Sequence, residues 1–313
     1  MLVVTGGTPK MTASHPVDVS ALTPLLLLIL AMVASLVLLR LNQHYASPTL
    51  AIVNRWLRWG VMAGGLSHMA AHFGWSERPL VVLFAAFLIG WFLLESIYHW
   101  LAIHAMSVSP LPLFPRFELN RGGDEWPVQA RFLRLRDRIR GAGFKHVQAL
   151  RAEVAPGLHV RSSFYHSADG CTRLQVTFLP QPMGNLTVCL HLSTHTTDGR
   201  RIVTDNHHLP FAGFYPEHWW VERRPWSRSL RRLLARHRDR LAQAAVTLVP
   251  WTTEPLEDVN LQQSELERLN TRLGFLLPSP EHEEHGRIST EGRYRVWKEM
   301  LSLNYLGRPA RYE

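Results

Sequence analysis

Ala21-Leu22-Thr23-Pro24-Leu25-Leu26-Leu27-Leu28-Ile29-Leu30-Ala31-Met32-Val33-Ala34-Ser35-Leu36-Val37-Leu38-Leu39-Arg40-Leu41 carries no charge before Arg40. At about 1.5 Å rise per residue this run covers the roughly 30 Å hydrocarbon core of a bilayer. Residues 80–106 form a second such run, with Glu95 as its only formal charge. A cleaved signal peptide fits poorly, because the short leader (1–20) has Lys10 as its only cation. The chain therefore reads as a membrane α-helical anchor over 21–106, joined to an α+β soluble domain.

Between the two runs, residues 56–75 are weakly apolar, rich in Gly and Ala, and free of Asp and Glu. Arg55, Arg58, Trp56 and Trp59 mark one end and Trp75 the other, as interfacial belts do around a span. A third helix here places Arg40, Arg55, Arg58 and the Arg-rich 116–140 segment on one side of the membrane. The positive-inside rule then predicts three spans (21–41, 56–75 and 80–104) in a bacterial inner membrane, with a cytoplasmic domain. Gly60, Gly64 and Gly65 give this middle helix a surface that permits close backbone approach. His68 and His72 are costly against lipid, so they point to cover by the other two spans or by a protein partner in the membrane.

Ionisable groups within spans are functional candidates. His68 and His72 fall toward the outer end, roughly 20–35 Å from the inner group of Glu95, His99 and His104. With His44 just outside the first span, that inner group is the candidate for a metal or haem site. The alternative is a set of solvated interfacial imidazoles beside Tyr98 and Trp100; no cofactor is otherwise implied.

A Pro-rich linker (107–126), containing Pro110, Pro112 and Pro115, is predicted to be extended and stiff. The soluble domain (127–250) then begins with a helix over 127–141, on which Val128, Phe132, Leu135 and Ile139 share a face. Alternating segments at 158–166, 172–179, 186–193 and 200–204, separated by turns, predict an antiparallel meander of about four strands flanked by helices. A helix over 227–248 follows. Its Arg228, Arg232, Arg236 and Arg240 recur at i+4, a pattern suited to anionic lipid headgroups or simply to a solvated face. His237 falls amid that helix's leucines, where it needs a partner such as Thr204 or Asn206. A C-terminal helical extension (251–313) contains helices near 257–273 and 290–306, which either pack on the domain or return to the membrane.

The formal charge of +9 is nearly all arginine, since Lys10, Lys145 and Lys298 are the only lysines. GC-rich coding produces the same bias without a function, and no nucleic-acid motif accompanies it, so no nucleic acid is expected. Cys171 and Cys189 lack C-x-x-C spacing. Pairing across a turn at 181–185 sets Cys189 opposite about Val176, so the two read as free thiols. His282-Glu283-Glu284-His285 has the wrong spacing for H-E-x-x-H, and Pro278 and Pro280 predict a loop there. Phosphate loops and nucleophile elbows are absent.

Gly143-Phe144, His166-Ser167-Ala168-Asp169-Gly170, the run from Ser193 to Asn206 and Leu233-x3-His237-x3-Leu241 resemble an uncharacterised group of bacterial membrane-anchored proteins. The resemblance covers roughly residues 128–241 and implies no activity. It does imply that the Thr197-Asp198-Gly199 turn, Thr204-Asp205-Asn206 and His237 form one structural unit. The leading expectation is a non-enzymatic, membrane-anchored interaction module or accessory subunit. A redox or metal protein using the inner histidines is the alternative. An enzyme in the soluble domain, with Asp198, Asp205, His207 or His208 converging on His237, is the third.

Overall fold

The computed structural model describes residues 19–45, 47–180 and 186–310. Most of the leader, the 181–185 turn and the last three residues lie outside the described residues, as does the side chain of His44. Helices α1 (Val19–Tyr45), α2 (Pro48–His72) and α3 (Leu80–Val108) come first, with α2 packed between the other two. Within α1 and α3, Thr23–Gln43 and Leu80–Val108 are long and apolar enough to cross a membrane, with mean hydropathies of 2.5 and 2.4.

The start of α2 precedes its predicted position. Pro48 occupies the first turn after extended Ser47, a pre-organised helix start, so Arg55 and Arg58 lie inside the helix. Gly74, at φ +63°, follows its end, leaving Trp75 beyond it. Ala63, Ser67 and Ala70 are buried. A Cβ on Gly64 would come within 3.2 Å of Leu28 in α1. Ser35 in α1 donates to Asn54 Oδ1 in α2 at 2.8 Å, a polar link between adjacent helices.

The sheet is larger than the expected four-stranded antiparallel meander, and it is mixed. Its order is β1 (Glu118–Leu119), β2 (Lys145–Ala155), β3 (Leu158–His166), β4 (Thr172–Pro180), β5 (Leu186–Thr196), β6 (Arg201–Asp205) and β7 (Trp219–Arg223). The meander of β2 to β6 is antiparallel, but β7 runs parallel to β6 after a crossover through residues 206–218. Parallel neighbours require a long crossover, which hid β7 from a search for hairpins. The short β8 (Leu248–Val249) pairs with β5 at His195 and Thr196, just past the last β4 partner, Thr194. Cys189 lies opposite Thr177, one residue from the expected Val176, and both cysteines are free.

Strand alternation divides the domain into two layers. Leu174, Val176, Phe178, Leu190 and Leu192 face helices α4 (Ala130–Gly141) and α5 (Leu230–Ala244) and form the main core with Phe132, Ile139 and Leu233. Phe164, Leu150 and Ala152 lie in a smaller cluster with Val259 of α6 (Pro255–Arg272).

The C-terminal extension both packs on the domain and returns to the membrane helices. Ile103 of α3 is buried in a cluster with Phe275, Leu276, Ile288 and Val296, the last on α8 (Thr290–Leu301). Arg287 N donates to the Ser107 carbonyl at 2.9 Å, and Ile288 N donates to Ser107 Oγ at the same distance. The proline-containing segment is likewise not a free linker: Leu113 and Phe114 pack on that cluster, and Glu118 pairs with Arg151 in the sheet. His282–His285 forms one helical turn, α7, in place of the predicted loop.

Candidate functional site

Glu95 is the carboxylate around which anchor and domain meet. Trp59 Nε1 on α2 donates to its Oε2 at 2.7 Å, and the Tyr305 hydroxyl donates to the same oxygen. Tyr305 lies in a π-helical turn (Ser302–Leu306) that continues α8. Trp56 Nε1 donates to the Tyr305 carbonyl at 3.2 Å, and the Tyr305 ring meets Trp59 at 4.9 Å in an edge-on contact. The Arg55 guanidinium lies 3.9 Å from Glu95 and 5.2 Å from the Tyr305 ring centre. The Glu95 charge is thus satisfied by Arg55 and Trp59 from α2 and by Tyr305 from the C-terminal segment. The arrangement clamps the C-terminal segment onto α2 and α3.

Of the inner candidates, Glu95 and His99 come together at 4.0 Å, while His104 is exposed and His44 lies outside the described side chains. Among the described residues no group of three or more His, Cys, Asp or Glu is placed to hold a metal ion. At the other end, His68 and His72 stack with ring centres 6.4 Å apart. Gly64 packs on α1, whereas a Cβ on Gly60 or Gly65 would meet nothing within 4 Å. The small-residue surface is therefore packed at Gly64 and open at Gly60 and Gly65, which lie about 140° apart around the helix.

The arginine stripe is largely engaged within the chain. Arg236 Nη2 donates to Glu222 at 2.8 Å. Arg240 donates to Thr204 Oγ1 at 2.8 Å and to the Trp220 carbonyl at 2.6 Å, and also contacts Glu222 at 3.2 Å. Arg228, ahead of α5, donates to the Tyr45 carbonyl at the end of α1. Arg232 is exposed and lines a cleft of about 1240 Å³ with Arg224 and Arg308.

His237 is 1 % exposed and lies between Thr204 Oγ1 (2.9 Å) and Thr194 Oγ1 (3.0 Å). Burial, then the Arg240 charge, brings its pKa down to about 3, so it is a neutral bridge between α5 and the sheet. Asp198 belongs to its own turn, accepting from Thr196 and from Arg200. Of the described residues expected to form one unit, Thr204 alone contacts His237, which lies away from the sheet's other face.

That other face holds the densest chemistry. Asp258 on α6 accepts from Arg173 Nη1 at 2.7 Å and from Arg201 Nη2, and all three side chains are buried. Each arginine also donates Nε to a neutral imidazole, Arg173 to His166 at 3.0 Å and Arg201 to His195 at 2.8 Å. Burial, then the Arg201 charge, brings His195 down to about 4. Trp251 lies over the Arg173 guanidinium at 3.7 Å. Further along the face, Cys189 Sγ lies 3.9 Å from His208 Nδ1, and His191 Nδ1 lies 3.9 Å from Asp205. Burial opposes the Cys189 thiolate, but His207 and His208 outweigh it and hold the thiol below its ordinary range. Burial likewise opposes protonation of His207, yet Cys189 and Asp205 raise it. His207 and His208 therefore converge on Cys189, and Asp205 on His191 and His207, rather than on His237.

No family, curated protein or solved structure matches this chain. The site must be read from its own geometry.

Sequence reasoning missed Tyr305, Asp258 and Cys189 as centres of interaction. Tyr305 had no signal, because its partner lies 210 residues away. Asp258 carried one: it stands in the first turn of a helix opposite a strand face bearing Arg173, His195 and Arg201.

Proposed function

We propose that this chain is a three-span, non-enzymatic accessory subunit of an inner-membrane assembly, holding a cytoplasmic domain in a fixed orientation on its anchor. The observation that carries the reading is the Glu95 clamp: a flexibly tethered domain has no need for Tyr305 to return to a membrane helix. Three spans are supported because α2, antiparallel to both neighbours and about 37 Å long, lies between two helices that can cross. The domain side carries Arg40, Arg55 and Arg58, which favours a cytoplasmic location. The open space beside Gly65 on α2 supports a helix from another subunit as the partner.

Two measurements test this. A reporter fused to the C-terminus should read cytoplasmic, and the chain extracted into native lipid discs should size above a monomer. Gly65→Leu should release the partner without lowering the melting temperature. A lone monomer, or a translocated C-terminus, refutes the proposal.

A second reading rests on Cys189, whose Sγ lies 3.9 Å from His208 Nδ1 and whose thiol His207 and His208 hold below its ordinary range. Cys189 is fully buried, so chemistry there requires an opening of the face. Selective alkylation of Cys189 in the folded protein would favour it.

A further inference from the structure

Under the α1–α2 turn, where the anchor meets the domain, lies a crevice of about 660 Å³. Leu39 and Asn42 of α1 and Pro48 and Ile52 of α2 form its membrane side. Phe132 and Leu135 of α4 form its domain side. Arg131, Arg138 and Arg228 also line it, and no Asp or Glu does. The crevice therefore joins apolar residues from α1, α2 and α4 to three guanidiniums and several neutral polar groups, at the end of α1.

The three guanidiniums are not equivalent. Arg131 donates to the Leu186 carbonyl at 3.0 Å, and Arg228 donates to the Tyr45 carbonyl. Both of these acceptors are neutral backbone carbonyls. Burial, then repulsion from Arg131, pushes Arg228 below the ordinary arginine range. Arg138 is exposed, with no side-chain hydrogen bond or ion pair among the described residues. Asn42 Oδ1, buried in the lining, has no hydrogen-bond partner and suits a hydroxyl donor.

We propose that this crevice binds the headgroup of an anionic glycerophospholipid, with the phosphate between Arg131, Arg138 and Arg228 and an acyl chain running along Leu39 toward the bilayer. Guanidinium groups match phosphate oxygens in charge and in fork geometry. A lipid fits better than a soluble anion because the walls are apolar and open toward α1. Of the i+4 arginine stripe only Arg228 lines the crevice, whereas Arg236 and Arg240 share Glu222.

The proposal rests on the membrane topology above, and one experiment separates the two. The full chain is reconstituted into nanodiscs of phosphatidylcholine alone or with one-third phosphatidylglycerol, and its melting temperature is read in each. The expected result is a rise of about 3 °C with phosphatidylglycerol, as for a headgroup at roughly ten times its Kd. The rise should vanish in Arg131→Gln/Arg138→Gln and persist in Arg134→Gln, which removes a charge from α4 outside the crevice. Should the double variant not fold, Arg138→Gln alone is read by mass spectrometry of co-purified lipid, with at least a twofold loss of phosphatidylglycerol expected. Equal melting in both discs, or an unchanged rise in the double variant, overturns the site and leaves the topology standing. An equal rise from inorganic phosphate in phosphatidylcholine discs makes the ligand a free anion and also overturns it. A chain that enters neither disc overturns site and topology together.

Discussion

Replacing His237 by leucine is expected to make the protein less stable at neutral pH but markedly less sensitive to acid. In the native protein the imidazole is 1 % exposed, and burial with the Arg240 charge lowers its pKa from 6.5 to about 3. The unfolded chain takes up a proton here below its own pKa, and the folded chain does not until near pH 3. Across that window the unfolded state binds more protons, so stability declines as pH falls, by up to about 1.4 kcal/mol per pH unit. From about pH 7.5 to pH 5 the loss from this residue is about 2 kcal/mol. His191 and His195, each lowered to about 4 by burial first, act in the same direction and steepen the native profile. His237→Leu removes one proton from the slope, so its acid limb should be shallower by about 1.4 kcal/mol per pH unit between roughly pH 6 and pH 4. At neutral pH the variant should lose about 1–2 kcal/mol through two missing hydrogen bonds. The loss stays at that level because Thr204 keeps Arg240 and Thr194 keeps Thr172. Urea unfolding of the full chain in micelles, followed by near-ultraviolet circular dichroism across this pH range, measures both quantities. Parallel acid limbs for the two proteins would refute the reasoning.

Asp258→Asn leaves Arg173 and Arg201 buried around a neutral amide, and a loss of about 3–5 kcal/mol is expected. Arg116→Gln, which opens the exposed Arg116–Glu267 pair and an exposed bond to the Asn260 carbonyl, should cost less than about 1 kcal/mol, and thermal melting compares the two. Tyr305→Phe should speed hydrogen exchange in residues 302–310 and at the start of α2 while leaving the sheet protected; unchanged exchange there would contradict the clamp. Maleimide should label Cys171 first in the folded protein and Cys189 only after denaturation, because Cys189 is fully buried. Equal labelling rates would show that the polar face opens.

Legibility in the sequence followed the range of the interactions. α1 and α3 announce themselves because bilayer thickness imposes a length and composition that no neighbour can disguise. The strands β3 to β6 were readable for a related reason: turns such as Thr197-Asp198-Gly199 join residues that become adjacent, and alternation marks their faces. β7 was not, since its pairing with β6 depends on a crossover that leaves no local turn. β2 escaped notice because its burial alternates poorly, with exposed Lys145, His146 and Val147 at its start. At the site level, a partner for His237 could be anticipated from its place on an apolar face, and Thr204 is one of the two found. Glu95 stood out as a lone charge in a span, but Tyr305 did not. The Arg stripe looked available in sequence because periodicity reports which residues share a face, and it says nothing of Glu222 waiting on β7.

The Glu95–Tyr305 contact also sets an order on biosynthesis. The membrane helices leave the ribosome well before the residue that completes their junction, 210 positions later. At ordinary translation speeds the carboxylate awaits its phenol for about 10–40 s. During that interval Trp59 and Arg55 are its available companions, and the α3 end lacks the cover of Ile288 and Val296. A nascent chain truncated anywhere before Tyr305 therefore presents an incomplete junction between its N-terminal helices and the rest of the fold.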